Sequence, residues 1–163
     1  MKKNILIIIA LFIFVNFSVK AGNEIKDLFI PYFLSLKYSE ANLRIGPSES
    51  YPIKLQYVFP TMPLKVNDKF QKWRKVVDWE NNEGWIHVRL LSKNRYGIIK
   101  QNENNNVKVF NKPDGKLIGG IGKGNIVEIN KCREKWCKIK IENYNGWLKS
   151  VNIWGILENE NFD

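Results

Sequence analysis

At 163 residues the chain has room for one ordinary domain or two small ones, and its hydrophobic share of 44% is normal for a globular protein. The formal charge of +10 is carried by scattered residues, far more lysine than arginine, which reads as a solubilising surface with some attraction for anionic envelope components. A single histidine, His87, leaves a closed zinc site around Cys132 and Cys137 short of its usual four ligands.

Lys2 and Lys3 precede an apolar run from Ile5 to Val15, and the small-residue stretch Ser18-Val19-Lys20-Ala21 follows. This three-part plan predicts a secretory signal peptide over residues 1–21, cut before Gly22. The run is shorter than the ~20 apolar residues of a spanning helix, so no stable membrane anchor is expected after cleavage. All sixteen acidic residues lie beyond the cut, and losing Lys2, Lys3 and Lys20 lowers the charge from +10 to +7. A periplasmic or secreted chain is a poor partner for nucleic acid. An oxidising compartment also favours a disulfide between Cys132 and Cys137, which flank a turn at Arg133-Glu134-Lys135.

Beyond the signal every element is short, bounded by Gly, Pro, Asn or Asp, and none has helical spacing of apolar residues. The predicted class is all-β. A strand opens at Phe33-Leu34-Ser35-Leu36-Lys37, another begins at Asn42-Leu43-Arg44 before a turn at Pro47, and a third holds Leu64-Lys65-Val66. Trp73-Arg74-Lys75-Val76-Val77 leads through the turn Asn81-Asn82-Glu83-Gly84 to Gly84-Trp85, where Asn and Gly suit the positive φ of tight hairpins. The same order returns at Tyr96-Gly97-Ile98-Ile99, Val107-Lys108-Val109, Pro113, Ile126-Val127-Glu128-Ile129, Trp136-Cys137-Lys138-Ile139 and Gly146-Trp147. The two tryptophans are twelve positions apart in the first half and eleven in the second. Two units of about 60 residues follow, at 31–93 and 94–157, each only marginally stable alone. Gln101 to Asn106 is expected to form a loop inside the second unit, and the acidic tail 158–163 to fray.

Asn42-Leu43-Arg44-Ile45-Gly46-Pro47, Tyr51-Pro52-Ile53, Trp73-Arg74-Lys75-Val76 and Gly84-Trp85-Ile86 resemble the bacterial SH3-like (SH3b) family, in its exported tandem form. Trp136-Cys137, Gly146-Trp147-Leu148 and Ile153-Trp154-Gly155 are similar to the close of its second unit. Thr61 stands where the family has Gly, before Met62-Pro63, and Tyr32 where it has a basic residue. The second unit also lacks the Asn-Leu-Arg signature. The resemblance implies two tandem small SH3-like β-barrels used for recognition in the envelope, often of cell-wall peptides or protein partners.

Binding candidates are aromatic, since tryptophan joins large apolar area to a polar handle. Trp73 and Trp79 lead, Tyr51 and Tyr57 could wall a groove, Arg44 could fork onto a carboxylate or pair with a nearby acid, and Asn42 could read a ligand or satisfy a turn. Trp85 and Trp147 are expected to feed the cores. Alternation puts Cys137, Ile139 and Ile141 on one face of their strand and Trp136, Lys138 and Lys140 on the other, outside the main core. Around Trp73 the parity conflicts, since Val77 and Trp79 side with it while Arg74, Val76 and Asp78 do not. Asp78 and Glu80 read as solvated turn charges. Gly119, Gly120, Gly122 and Gly124 read as a turn or bulge, not a phosphate loop. A Cys-His hydrolase needs a thiolate held against an imidazole, but His87 lies in the first unit and both cysteines in the second. The expected function is therefore non-catalytic, without cofactor or metal: recognition of peptidoglycan peptides or an envelope protein. A small amidase or endopeptidase, or a purely structural partner of a membrane protein, are the alternatives.

Overall fold

The structure, a computed structural model, describes residues 29–100 and 106–163; the expected signal peptide and most of the 101–106 loop lie outside the described residues. It is all-β, with two antiparallel seven-stranded sheets and no α-helix among the described residues.

The first sheet holds β1 (Tyr32–Leu36), β2 (Ala41–Arg44), β3 (Ile53–Tyr57), β4 (Pro63–Phe70), β5 (Trp73–Val77), β6 (Glu83–His87) and β7 (Leu91–Ser92), in the order β3-β2-β6-β5-β4-β1-β7. The second holds β8 (Tyr96–Ile99), β9 (Val107–Phe110), β10 (Leu117–Ile121), β11 (Ile126–Arg133), β12 (Trp136–Ile141), β13 (Tyr144–Lys149) and β14 (Ile153–Trp154), ordered β10-β9-β13-β12-β11-β8-β14. The repeat read from the tryptophans is thus a repeat of topology. Even the irregularities recur: register shifts in the β4–β5 pair between Val66 and Asp68, and in β11–β12 between Ile129 and Lys131. Such bulges bend the long strands, as a small barrel requires.

Alternation fills each core. Leu34, Leu43, Leu64, Val66, Val76 and Ile86 pack together in the first unit, and Ile99, Val107, Val127, Ile139, Leu148 and Ile153 in the second. Gly84 and Gly146 face these cores from within β6 and β13, and neither has a positive φ. The left-handed turn positions fall instead on Asn81 (φ 68°) and Glu142 (φ 49°). The glycines are needed because another strand lies across them. A Cβ on Gly84 would stand 2.6 Å from Leu43 Cγ and 2.7 Å from the Arg44 carbonyl oxygen, and one on Gly146 would strike Val109 Cγ1.

Trp85 and Trp147 do not feed the cores. They follow those glycines and so point the other way, half-buried on the outer faces, while Ile86 and Leu148 enter the interior. Trp136 lies opposite Cys137 and Ile139 as alternation requires, yet it is buried, edge-on to Phe110 at 5.4 Å and beneath the Lys149 ammonium. The cysteines form the expected disulfide inside the second core. Of the glycine cluster, Gly122 and a left-handed Gly124 fall in the turn expected, whereas Gly119 and Gly120 pair within β10, after a register shift that follows Leu117.

The acidic tail is docked, not frayed. Phe162 exchanges both backbone hydrogen bonds with Cys132, and its ring lies 4.3 Å beneath the Arg95 guanidinium. Arg95 also forks onto Glu160, at 2.6 and 2.9 Å, while Asp163 meets Lys131 and Arg133. The tail's charges are what the sequence displays, and two of them, Glu160 and Asp163, find cations on the second unit.

The units also touch. Phe33 points away from the core residues beside it, Tyr32 and Leu34, and is covered by Trp154 in an edge-to-face contact at 4.9 Å. Such a pair contributes about 0.5–1.5 kcal/mol beyond the area it buries, useful to two small cores.

Candidate functional site

The described residues enclose a groove of ≈ 440 Å³ where the units meet. The end of β3 and the segment after it supply Leu55, Tyr57, Val58, Phe59 and Met62; the β5–β6 turn supplies Asp78, Trp79, Glu80 and Asn82; the second unit closes it with Ile98, Gly124 and Ile126. Val58 and Phe59 stay 55% and 62% exposed at its rim. Pockets of this kind, apolar with a few convergent polar groups and placed between domains, are the common form of a binding site.

One carboxylate organises the turn. Asp78 is buried, and its two oxygens accept from the Glu80 and Asn82 amides, the Asn82 side chain and the Tyr57 hydroxyl. It is a structural anchor, contrary to its reading as a solvated charge. Burial, together with the Asp78 charge and hydrogen bond, pushes the Tyr57 phenol well above its usual range and keeps it a neutral donor. Trp79 and the exposed Glu80 are carried into the groove by this anchored turn.

Of the six binding candidates, Tyr57 and Trp79 are brought together in the groove; the other four are elsewhere. Asn42 and Arg44 lie on the outer face of β2. Arg44 Nη1 donates to the Tyr51 carbonyl at 2.7 Å, closing the loop between β2 and β3, and the Tyr51 ring covers Gly46 so closely that a Cβ there would lie 2.6 Å from it. Trp73 is buried edge-on against His87 at 5.3 Å. Burial and the neighbouring Arg89 hold the His87 imidazole below its ordinary pKa, and its Nδ1 accepts from the Arg89 amide. The parity conflict around Trp73 resolves because Arg74, on the inward side, spends its charge on the Tyr32 hydroxyl and the Gln71 and Trp73 carbonyls.

Val58, Phe59, Met62, Ile98 and Ile126 were not among the candidates. The adjacent apolar pair Val58-Phe59, followed by Pro60, was a signal in the sequence; the contribution of Ile98 and Ile126 was not, because it depends on how one barrel meets the other. On the outer face, register aligns Arg44, Trp85 and Lys75 across three strands, and Phe110, Trp147 and Lys138 in the second unit. The thiol chemistry of a Cys-His hydrolase has no free thiol to start from, since both cysteines are in the disulfide.

No helix among the described residues is long and apolar enough to cross a membrane. No curated protein matches the chain. Bacterial SH3 domain matches cover residues 37–93 and 103–155, one on each barrel and together most of the chain. The chain belongs to the bacterial SH3 domain family, as a tandem of two such domains.

Proposed function

We propose that this protein is a non-catalytic binding module of the cell envelope, periplasmic or secreted, which takes wall peptides in the groove between its barrels. Bacterial SH3 domains are generally binding modules for cell-wall components. A disulfide and this family fit a compartment outside the cytoplasm. The observation that carries the reading is the groove itself, with apolar walls from both units and one exposed carboxylate, Glu80, beside Trp79. A stem peptide is short and extended, with methyl side chains for the apolar walls and a diamino-acid amine for Glu80. Trp79 is the anchor in this reading, Tyr57 holds the turn that presents it, and Asn42, Arg44, Tyr51 and Trp73 shape the first barrel around it.

Co-sedimentation of the exported chain with purified sacculi tests this. The wild type is expected to sediment and Trp79→Ala to bind about tenfold more weakly, the usual scale for loss of an aromatic anchor. Equal sedimentation of the two, or none by the wild type, overturns it.

A further inference from the structure

The second barrel has an unguarded strand edge where the first has a guarded one. β10 ends its sheet and, among the described residues, pairs with β9 alone. Its sequence, Leu117-Ile118-Gly119-Gly120-Ile121, holds no charge and no proline, and Leu117 and Ile118 are 50% and 52% exposed. Sheet edges are ordinarily guarded by charges, prolines or bulges. The corresponding edge of the first barrel, β3, follows Pro52 and carries Lys54, whose ammonium donates to the Glu83 carbonyl at 2.8 Å. In β10 the one shift of register lies before Gly119, and Gly119-Gly120-Ile121 runs on in regular pairing.

Behind this edge the barrel is unfilled. A cavity of ≈ 280 Å³ opens there, walled by Val109, Ile118, Ile139, Ile141 and Tyr144. Gly119 stands at its mouth, where a Cβ would meet nothing within 4 Å. Glycine in a strand costs stability and marks a bulge, as at the shift before Gly119, or the close approach of a ligand or another backbone, for which the regularly paired Gly119-Gly120 leaves room. Lys108 on β9 and Lys112 and Lys116 on the β9–β10 hairpin are exposed around β10, with Asp114 as the acid between them.

We propose that β10 is a strand-addition site for an extended acidic peptide. The peptide's backbone pairs with the free edge of β10, one aliphatic side chain enters the cavity past Gly119, and its carboxylates face the lysines. A second copy of the chain is the poorer occupant, because pairing β10 with β10 sets those lysines against each other. The site is separate from the groove between the barrels and stands without it.

The test is a titration of the oxidised, isotope-labelled exported chain with a capped hexapeptide of alternating glutamate and valine, followed by amide shifts. Saturable shifts at residues 117–121 and at Tyr144 are expected. Gly119→Val, which fills the mouth, and Ile118→Glu, which charges the edge, should each weaken binding about tenfold. Trp79→Ala should leave it unchanged. An equal response to a capped hexapeptide of alternating lysine and valine, shifts that depend on protein concentration alone, no saturable shift, or full binding by both β10 variants would each overturn the proposal.

Discussion

The Tyr57 hydroxyl donates to Asp78 Oδ2 across 3.0 Å, and that bond ties the last residue of β3 to the turn bearing Trp79. It makes the groove's aromatic wall and its tryptophan one unit. Removing the donor in Tyr57→Phe leaves Asp78 buried with one partner fewer and should cost about 1–2 kcal/mol by urea denaturation. The linkage has a definite sign. An unfolded tyrosine ionises near 10.0, whereas burial and Asp78 hold the folded phenol above that value, so folding favours the neutral form. Its contribution is complete below pH 10.0 and declines as the pH rises further. Tyr57→Phe should flatten that alkaline decline; an unaltered slope would contradict this account.

The tail should loosen in acid. Burial alone would raise the Glu160 pKa, but hydrogen bonds from Arg95 and the Leu157 amide, with the Arg95 charge, outweigh it and hold the carboxyl below its ordinary value. The stabilisation is present above pH 4.5 and lost as the pH falls through the lowered folded value. Glu160→Gln at neutral pH should mimic this, raising hydrogen exchange of the paired Cys132 and Phe162 amides roughly tenfold. Unchanged exchange would mean that Phe162 and Asp163 hold the tail by themselves.

Gly84→Ala and Gly146→Ala should both destabilise, by about 1–3 kcal/mol each, although both sites accept the φ of alanine. At Gly84 the added methyl meets the Leu43 side chain and the Arg44 carbonyl oxygen; at Gly146 it meets buried Val109, whose branched side chain has little freedom to turn away. Thermal unfolding should show a lowered midpoint for both variants.

Thr61→Gly should stabilise. Thr61 sits at φ 65°, a conformation unfavourable to a β-branched residue, and its amide is held there by the Leu36 carbonyl at 3.0 Å. Relief of the left-handed strain is worth about 1 kcal/mol, less what glycine adds to the freedom of the unfolded chain. A rise in the denaturation midpoint at constant slope is the expected result. The departure from the family noted in the sequence, threonine for glycine, thus has a local meaning.

The all-β class, the repeat and the disulfide could be read from the chain because they rest on alternation, turn residues and spacing; the order of strands in each sheet, with β3 and β10 at the edges, could not. Trp85 and Trp147 were misplaced by attending to the Gly-Trp pair and not to the residue after it: Ile86 and Leu148 claim the interior, and a strand cannot send adjacent side chains to one face. The docked tail was missed because its composition argues for solvent, while Arg95, its main partner, is distant in sequence. The groove was half legible. Tyr57 and Trp79 announce themselves as aromatics, but the walls contributed by Ile98 and Ile126 arise from packing between units, on which local pattern is silent.

The two outer rows, Arg44-Trp85-Lys75 and Phe110-Trp147-Lys138, occupy the same register yet differ at their first member, a cation in one barrel and a phenyl ring in the other. Duplication here has not produced two copies of one surface. A second contact that follows the first at high effective concentration does not need an identical site, but it does need a ligand that offers each face its own partner. A polymer of one repeated unit would find two unlike faces on this chain, so the doubled barrel suits a ligand of two different parts better than a simple repeat.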